Sequence, residues 1–402
     1  MSAIPAIILY DDARWENLLP LTFTRPVSEL RIGILTIREK WEHLISSKIS
    51  NLTKPYLSEK YPVSISEDNL VINSGVLPDK SLAQQILGLQ TNQYLCCNDM
   101  VIAVRMGKSD AENTIKHNRD LSGIKARYTP VFLSDDVRMI SRPYHIFSMN
   151  GKEIENDFAL ITHGRASQPY SHTNQVFGKY PLFLEEGVYM ECCTINTNEG
   201  PVYLGRNVQI MEGSMIRGGF AACEGSIVKM GAKIYGPTTI GPNCRLGGEV
   251  NNSVLFANSN KGHDGFLGNS VIGEWCNLGA DTNNSNLKNN YLPVKIWSYP
   301  DAGFKDTGLQ FCGLIMGDHS KSGINTMFNT GTVVGVASNI FGDGFPRTYI
   351  PSFSWGGAAG FITHQLKKAL ETAEIVMGRR QVQLTDLDRK IMEYLFEQRV
   401  EM

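Results

Sequence analysis

The sequence predicts an α/β N-terminal domain of Rossmann-like three-layer build, followed by a parallel β-helix of hexapeptide repeats and C-terminal helices. Two observations carry this. From Ala6 to Arg105, short apolar runs of strand length alternate with amphipathic helical stretches, the pattern of a layered α/β domain. From Leu204 onward, apolar residues recur at every sixth position. That period suits neither an α-helix nor a flat strand. It suits a solenoid whose short faces each consume one hexapeptide.

The α/β part opens with AIILY at Ala6–Tyr10, a buried first strand. Asp11 and Asp12 follow at once, where the carboxyl end of a parallel strand places polar groups in a crevice. Next come PLTFTRPVSELRIG and a helix presenting Ile34, Ile37, Trp41 and Leu44 on one face. A strand at Leu70 to Asn73 precedes a turn at Leu77-Pro78-Asp79 and a helix near Leu82 to Leu87. Tyr94 to Cys97 and Val101 to Arg105 read as strands, with Asn98 and Asp99 between them. A connector rich in Ser, Gln, Asn and Gly runs from about residue 165 to 180. The expected domains are therefore 1–170, 171–350 and 351–402.

In the solenoid, Leu204, Ile210, Ile216, Ala222, Val228, Ile234, Ile240 and Leu246 stay in phase. The register then slips, and Val254, Asn260, Phe266, Ile272 and Leu278 are expected to continue it. After an excursion from about residue 284 to 310, Met316, Ser322, Phe328, Val334 and Ile340 resume the rhythm. An insertion of that size in a regular array is usually functional or meets a neighbour. Beyond it, Ile362, Leu366, Ala369, Ala373 and Val376 mark a helical face, and Thr385 with Asp388 forms a capping box for a last helix. Terminal helices cover an open solenoid end, which otherwise exposes a sheet edge.

Bulk properties narrow the function classes. The 402 residues are 42% hydrophobic and 19% charged, a globular composition. A net charge of -2 gives no global field for nucleic acid or anionic membrane, so neither is an expected partner. Eight cysteines show no CxxC spacing and read as reduced, buried thiols. The N-terminus MSAIPAIILYDD lacks a basic leader region, so a cytoplasmic protein is expected.

The chemistry centres on His263, in the window NKGHDGFLGNSVIGEWCNLGADTNNSNLKNNY. A lone histidine is more often a satisfied turn residue. Here it lies near Asn277 and Asn286, whose amides suit a sugar or a pantetheine. Imidazole titrates near neutrality and can take a proton from an amine attacking a thioester. The small residues around Ala280 leave backbone N–H groups open to an oxyanion. In the α/β part, no glycine precedes Gly33, so the glycine-rich phosphate loop of nucleotide-binding folds is absent. Asp11, Arg25 and Arg31 are the candidate nucleotide-binding residues in its place, with Asp12 and Asp99 as candidate Mg²⁺ ligands.

The segment KGHDGFLGNSVIGEWCNLGADTNNSNLK resembles the acetyltransferase segment of the bifunctional GlmU family. These enzymes acetylate glucosamine 1-phosphate and uridylylate the product. TFTRPVSELRIG and CNDMVIAV further resemble a Bacteroidetes-type branch with a divergent nucleotidyltransferase-like N-terminal domain. The resemblance implies a left-handed β-helix, a homotrimer, acetyl-CoA as acyl donor, Mg²⁺ for nucleotidyl transfer, and sites between subunits. It makes His263 the catalytic base, Asn277 a sugar-site residue, Asn286 a residue near the thioester and Ala280 part of the CoA path. Two positions depart from the family. Phe266 stands where a sugar-contacting tyrosine is usual, and Asn251 where a sugar-phosphate lysine is usual; Lys261, Lys288 or Lys295 are the candidate replacements. Three readings remain open: a bifunctional enzyme of UDP-N-acetylglucosamine synthesis; an acyltransferase on another amino sugar or sugar nucleotide, with a non-catalytic N-terminal domain; or a nucleotidyltransferase, uridylyl or thymidylyl, on a trimerising scaffold.

Overall fold

The structure, a computed structural model, describes residues 5–116, 121–133 and 136–399. The chain divides into two compact units. One comprises Met1–Leu18, Arg25–Leu30 and Leu35–Ser141; the other comprises Leu19–Thr24, Arg31–Ile34 and Arg142–Met402.

The first unit is built on a six-stranded sheet of β1 (Ala6–Tyr10), β2 (Ile49–Leu52), β3 (Asp68–Asn73), β4 (Gln93–Cys97), β5 (Met100–Gly107) and β6 (Thr129–Phe132). Its order is β2-β1-β3-β5-β4-β6. β1 runs parallel to β2 and β3, whereas β5 is antiparallel to both β3 and β4. Among the described residues three α-helices accompany the sheet: α1 (Ile37–Ile45), α2 (Lys80–Leu87) and α3 (Lys108–Lys116). α1 starts at a Thr36–Glu39 capping box, and Asp79 caps α2 by accepting from Leu82 N at 2.9 Å. Ile8, Val71 and Val104 fill one core on the sheet.

The second unit is a triangular parallel β-helix with sheets of six, nine and ten strands. Successive coils stack in register, as Ile210↔Val228 and Val228↔Leu246 show. All eight in-phase residues from Leu204 to Leu246 are buried on the axis, as are Met316, Ser322, Phe328, Val334 and Ile340. The expected phase fails by one residue from Val254 to Phe266 and holds at Ile272 and Leu278. The residues in the axial column are Leu255, Lys261 and Leu267, while Asn260 and Phe266 are only half-buried. Two shortened corners cause it: Tyr235 to Thr239 takes four steps where the paired Asn251 to Val254 takes three, and the corner before it loses two. Val228 to Lys233 takes five steps, but the paired Leu246 to Glu249 takes three, and Lys261 to Phe266 above takes five again.

A long helix, α4 (Pro143–Thr162), joins this unit rather than the N-terminal sheet. Its Gly151 lies against Pro237, where a Cβ would come within 2.8 Å of the ring. Asn150 donates to Pro237 O at 3.0 Å and accepts from Gly33 N at 2.8 Å. The helical face expected from Ile362 begins later. Gly360–Thr363 pairs antiparallel with Ser354–Gly357, ending the ten-stranded sheet in a hairpin. Two helices follow, α5 (Leu366–Gly378) and α6 (Asp386–Glu397), the latter opened by the Thr385–Asp388 capping box. Ala373, Met377 and Leu384 pack on Trp275 of the solenoid. Burying these side chains fixes the C-terminal end of α5 over one solenoid face. No helix among the described residues is long and apolar enough to cross a membrane.

Candidate active site

The solenoid's ten-stranded sheet displays a polar row. Register places Arg245, Asn260, Asn277 and Lys321 side by side, each preceding an axial residue. In a flat face the residue before an inward one must point outward. This row floors a cavity of about 660 Å³, completed by Lys229, Asn258, His263, Trp275 and the α5 end with Arg379 and Arg380. Among the described residues its lining carries five Lys or Arg side chains and no carboxylate. Arg380 Nη2 donates to Asn260 Oδ1 at 3.0 Å, and Lys321 Nζ to His319 O at 3.0 Å. Neither contact neutralises a charge. Burial, then the positive fields of Arg245 and Arg379, press the Arg380 guanidinium below its ordinary value. Burial also lowers the Lys321 ammonium. Clustered cations that repel one another, without a carboxylate, form a site that an anionic ligand relieves. Asn258 Oδ1, buried and without a hydrogen-bond partner, adds an acceptor for a ligand donor.

A second cavity of about 630 Å³ lies on the next face, lined by Met211, Lys229, Met230, Gly247, Gly248, His263, Asp264, Ala280 and Asp281. The shortened corner makes it. Gly247–Gly248 retracts between two full-length corners, leaving a notch between Met230 and the His263–Asp264 turn. Only glycine fits at 248, where φ is +75° and a Cβ would lie 2.8 Å from His263 O. His263 is exposed and, with Lys229 and Gly262, belongs to both cavities.

The other sequence candidates divide. Asn277 lines the cationic cavity and Ala280 the notch. Phe266 and Asn286 line neither. They gather over Gly268, where Asn286 Nδ2 donates to Asn269 Oδ1 at 2.8 Å. Lys288 is half-buried, with Nζ 3.4 Å from Pro293 O, away from both cavities. Lys295 opens an antiparallel pair, Lys295–Ser298 with Gly303–Asp306, inside the excursion. Lys261 is not a ligand-facing cation. It is fully buried in the axial column, and Nζ donates to His263 O at 2.5 Å and Asp264 O at 2.8 Å. The cations the sequence reading missed are Lys229, Arg245, Lys321, Arg379 and Arg380. Lys321 and Arg245 were marked by their place before axial residues; Arg379 and Arg380 had no local signal.

The residues predicted to meet phosphate and metal stand in different settings. Asp11 is buried and accepts from Thr53 Oγ1 at 2.5 Å, Ser74 Oγ at 2.6 Å and Val27 N at 3.1 Å. Burial outweighs these bonds and pushes its carboxyl up to about 6. Asp12 caps the turn after β1 by accepting from Arg14 N at 2.8 Å, pairs with the Arg14 guanidinium, and accepts from Asn73 Nδ2 at 2.8 Å. Arg25 is buried, and Arg31 belongs to the other unit, where its guanidinium donates to Ile34 O. Asp99 is exposed at the tip of the β4–β5 hairpin. Among the described residues no three His, Cys, Asp or Glu side chains gather to hold a metal. Of the two foreseen Mg²⁺ ligands, Asp12 pairs with Arg14, whereas the Asp99 side chain is exposed.

Residues 7–166 match the family model of sugar nucleotidyl transferases. That span is less than half of the chain. No curated protein matches the sequence. Solved structures similar to this chain include the polySia-specific acetyltransferase NeuO, at 17% identity over 47% of this chain and 85% of that one, with a TM-score of 0.28. Another is Arabidopsis UDP-N-acetylglucosamine acyltransferase, at 15% identity over 53% and 80%, with a TM-score of 0.25. The β-helix itself rests on the strand registers given above.

Proposed function

We propose that the solenoid is an acyltransferase that moves an acetyl group from acetyl-CoA to the amine of an amino-sugar phosphate, glucosamine 1-phosphate by resemblance. One observation carries this reading: the exposed His263 stands on the rim common to a carboxylate-free cationic cavity and a separate notch. Two substrates bound on either side of one imidazole meet at it. The cationic cavity suits the phosphates of CoA, held by Arg379, Arg380, Arg245 and Lys321. The notch suits the amino sugar, with Lys229 in place of the lysine that Asn251 does not supply.

His263 takes the proton of the attacking amine as its nitrogen bonds to the thioester carbon. The tetrahedral oxyanion collapses, the C–S bond breaks, and the thiolate leaves and is protonated to give free CoA. Thiol release from acetyl-CoA with glucosamine 1-phosphate tests this. A wild-type protein that releases no thiol with any amino-sugar phosphate ends the reading.

For the N-terminal unit we propose sugar nucleotidyl transfer, on the strength of the family match over residues 7–166. Together the two activities make a cytoplasmic, homotrimeric enzyme of UDP-N-acetylglucosamine synthesis. Pyrophosphate release from UTP and N-acetylglucosamine 1-phosphate, with and without Mg²⁺, tests the second activity. A scattering mass of three chains tests the assembly.

A further inference from the structure

We infer that Lys261 is a positioning residue that holds the turn carrying His263 in the shape acyl transfer needs. The inference rests on the acyl-transfer reading of that turn. Its column position is the first observation. Register stacks Lys261 on Leu246, and Asn260 on Asn277, so Leu278 follows it in the column. A lysine thus stands where the coils beneath and above carry leucine, and its side chain is fully buried. A charged group in an apolar column costs folding free energy unless its donors are used.

The second observation is where those donors go. In neighbouring corners the backbone closes its own turn, Ala232 N to Lys229 O at 3.2 Å and Thr282 N to Gly279 O at 3.1 Å. At the His263 corner a side chain supplies donors to two turn carbonyls, His263 O and Asp264 O. The retracted Gly247–Gly248 corner explains the need, because this full-length turn overlies one two residues shorter. From below, the shortened corner's backbone donates to Gly265 O from Glu249 N at 3.2 Å, and the lysine meets His263 O and Asp264 O from the axis. From above, Asp281 N donates to Asp264 O at 3.1 Å, so the turn is held from both sides. Burial lowers the Lys261 ammonium, with Asp264 and Asp281 opposing. A buried cation that loosens the fold yet fixes a functional loop is the stability–activity compromise of working sites.

The test replaces it by methionine, of similar length and suited to the column. For Lys261→Met we expect a melting temperature at or above wild type. Amide exchange at residues 262–265 rises at least tenfold, and kcat for thiol release falls at least tenfold with KM for acetyl-CoA within twofold. Lys261→Arg, which keeps the donors, retains slow exchange in that turn. A lowered melting temperature with exchange raised uniformly along the solenoid makes Lys261 merely structural and overturns the inference. So does unchanged exchange at 262–265, or unchanged kcat. If wild type releases no thiol, the acyl-transfer reading fails by itself, and the exchange comparison still decides whether Lys261 holds the turn.

Discussion

The two units treat their charged residues in opposite ways. In the N-terminal unit, Asp11 and Arg25 are turned into the fold, and Asp12 is matched to Arg14. In the solenoid, Lys229, Arg245, Arg379 and Arg380 line a cavity whose own lining holds no carboxylate. The difference teaches where sequence candidates can be trusted. A strand end followed immediately by a turn needs acceptors for its backbone donors, and nearby aspartates are taken for that purpose. A solenoid face satisfies its backbone coil to coil, so its outward polar side chains remain free for ligands.

Four outcomes break or sharpen this contrast. The largest effect is expected at His263: His263→Ala lowers thiol release by about 10²-fold or more, the scale for a general base, while the chain still assembles. Next, the double change Arg379→Ala and Arg380→Ala raises KM for acetyl-CoA roughly 10-fold or more, since charge-assisted hydrogen bonds contribute about 1.5–3 kcal/mol each. Raised salt weakens the wild-type KM more than the variant's.

Third comes the buried Lys261. Its folded-state value of about 8 lies below the ordinary 10.5, so the unfolded chain holds this proton more tightly. Wild-type stability relative to Lys261→Met therefore rises as pH climbs from 8 to 10.5, by on the order of 3 kcal/mol. A pH-independent difference between the two melting curves contradicts the burial argument.

The smallest effect is in the N-terminal unit and should leave acyl transfer untouched. Asp11 has a folded-state value raised to about 6 from 3.8, so its contribution is present below 3.8 and is lost as pH rises through 6. Asp11→Asn should flatten that part of the stability profile between pH 4 and 6. If it instead abolishes pyrophosphate release without altering stability, Asp11 belongs to a site and the contrast between units fails.

Much of the solenoid was legible because inward positions are apolar at a fixed period, and the exceptions are instructive. The phase was misread between Val254 and Phe266 because two successive corners, Leu246–Glu249 and Asn251–Val254, are shortened by two and by one, and because a lysine was not sought in an apolar column. The Lys321 and Arg245 row was readable from position. Arg380 was not: it meets Asn260 across 120 residues of chain, through a helix that Trp275 anchors. In the α/β unit, β1, β3, β4 and β5 were legible but β2 and β6 were not, and α4 of the solenoid unit was missed. The fates of Asp11 and Arg31 depend on long-range partners that local pattern does not encode. The notch at Gly247–Gly248 shows only when coil lengths are compared.

The most direct measurement is a crystal structure with CoA and an amino-sugar phosphate bound. The account predicts CoA phosphates beside Arg379 and Arg380, the sugar in the Gly247–Gly248 notch, and the sulfur and the amine both at the His263 imidazole. CoA bound elsewhere, or an imidazole turned away from both ligands, contradicts it.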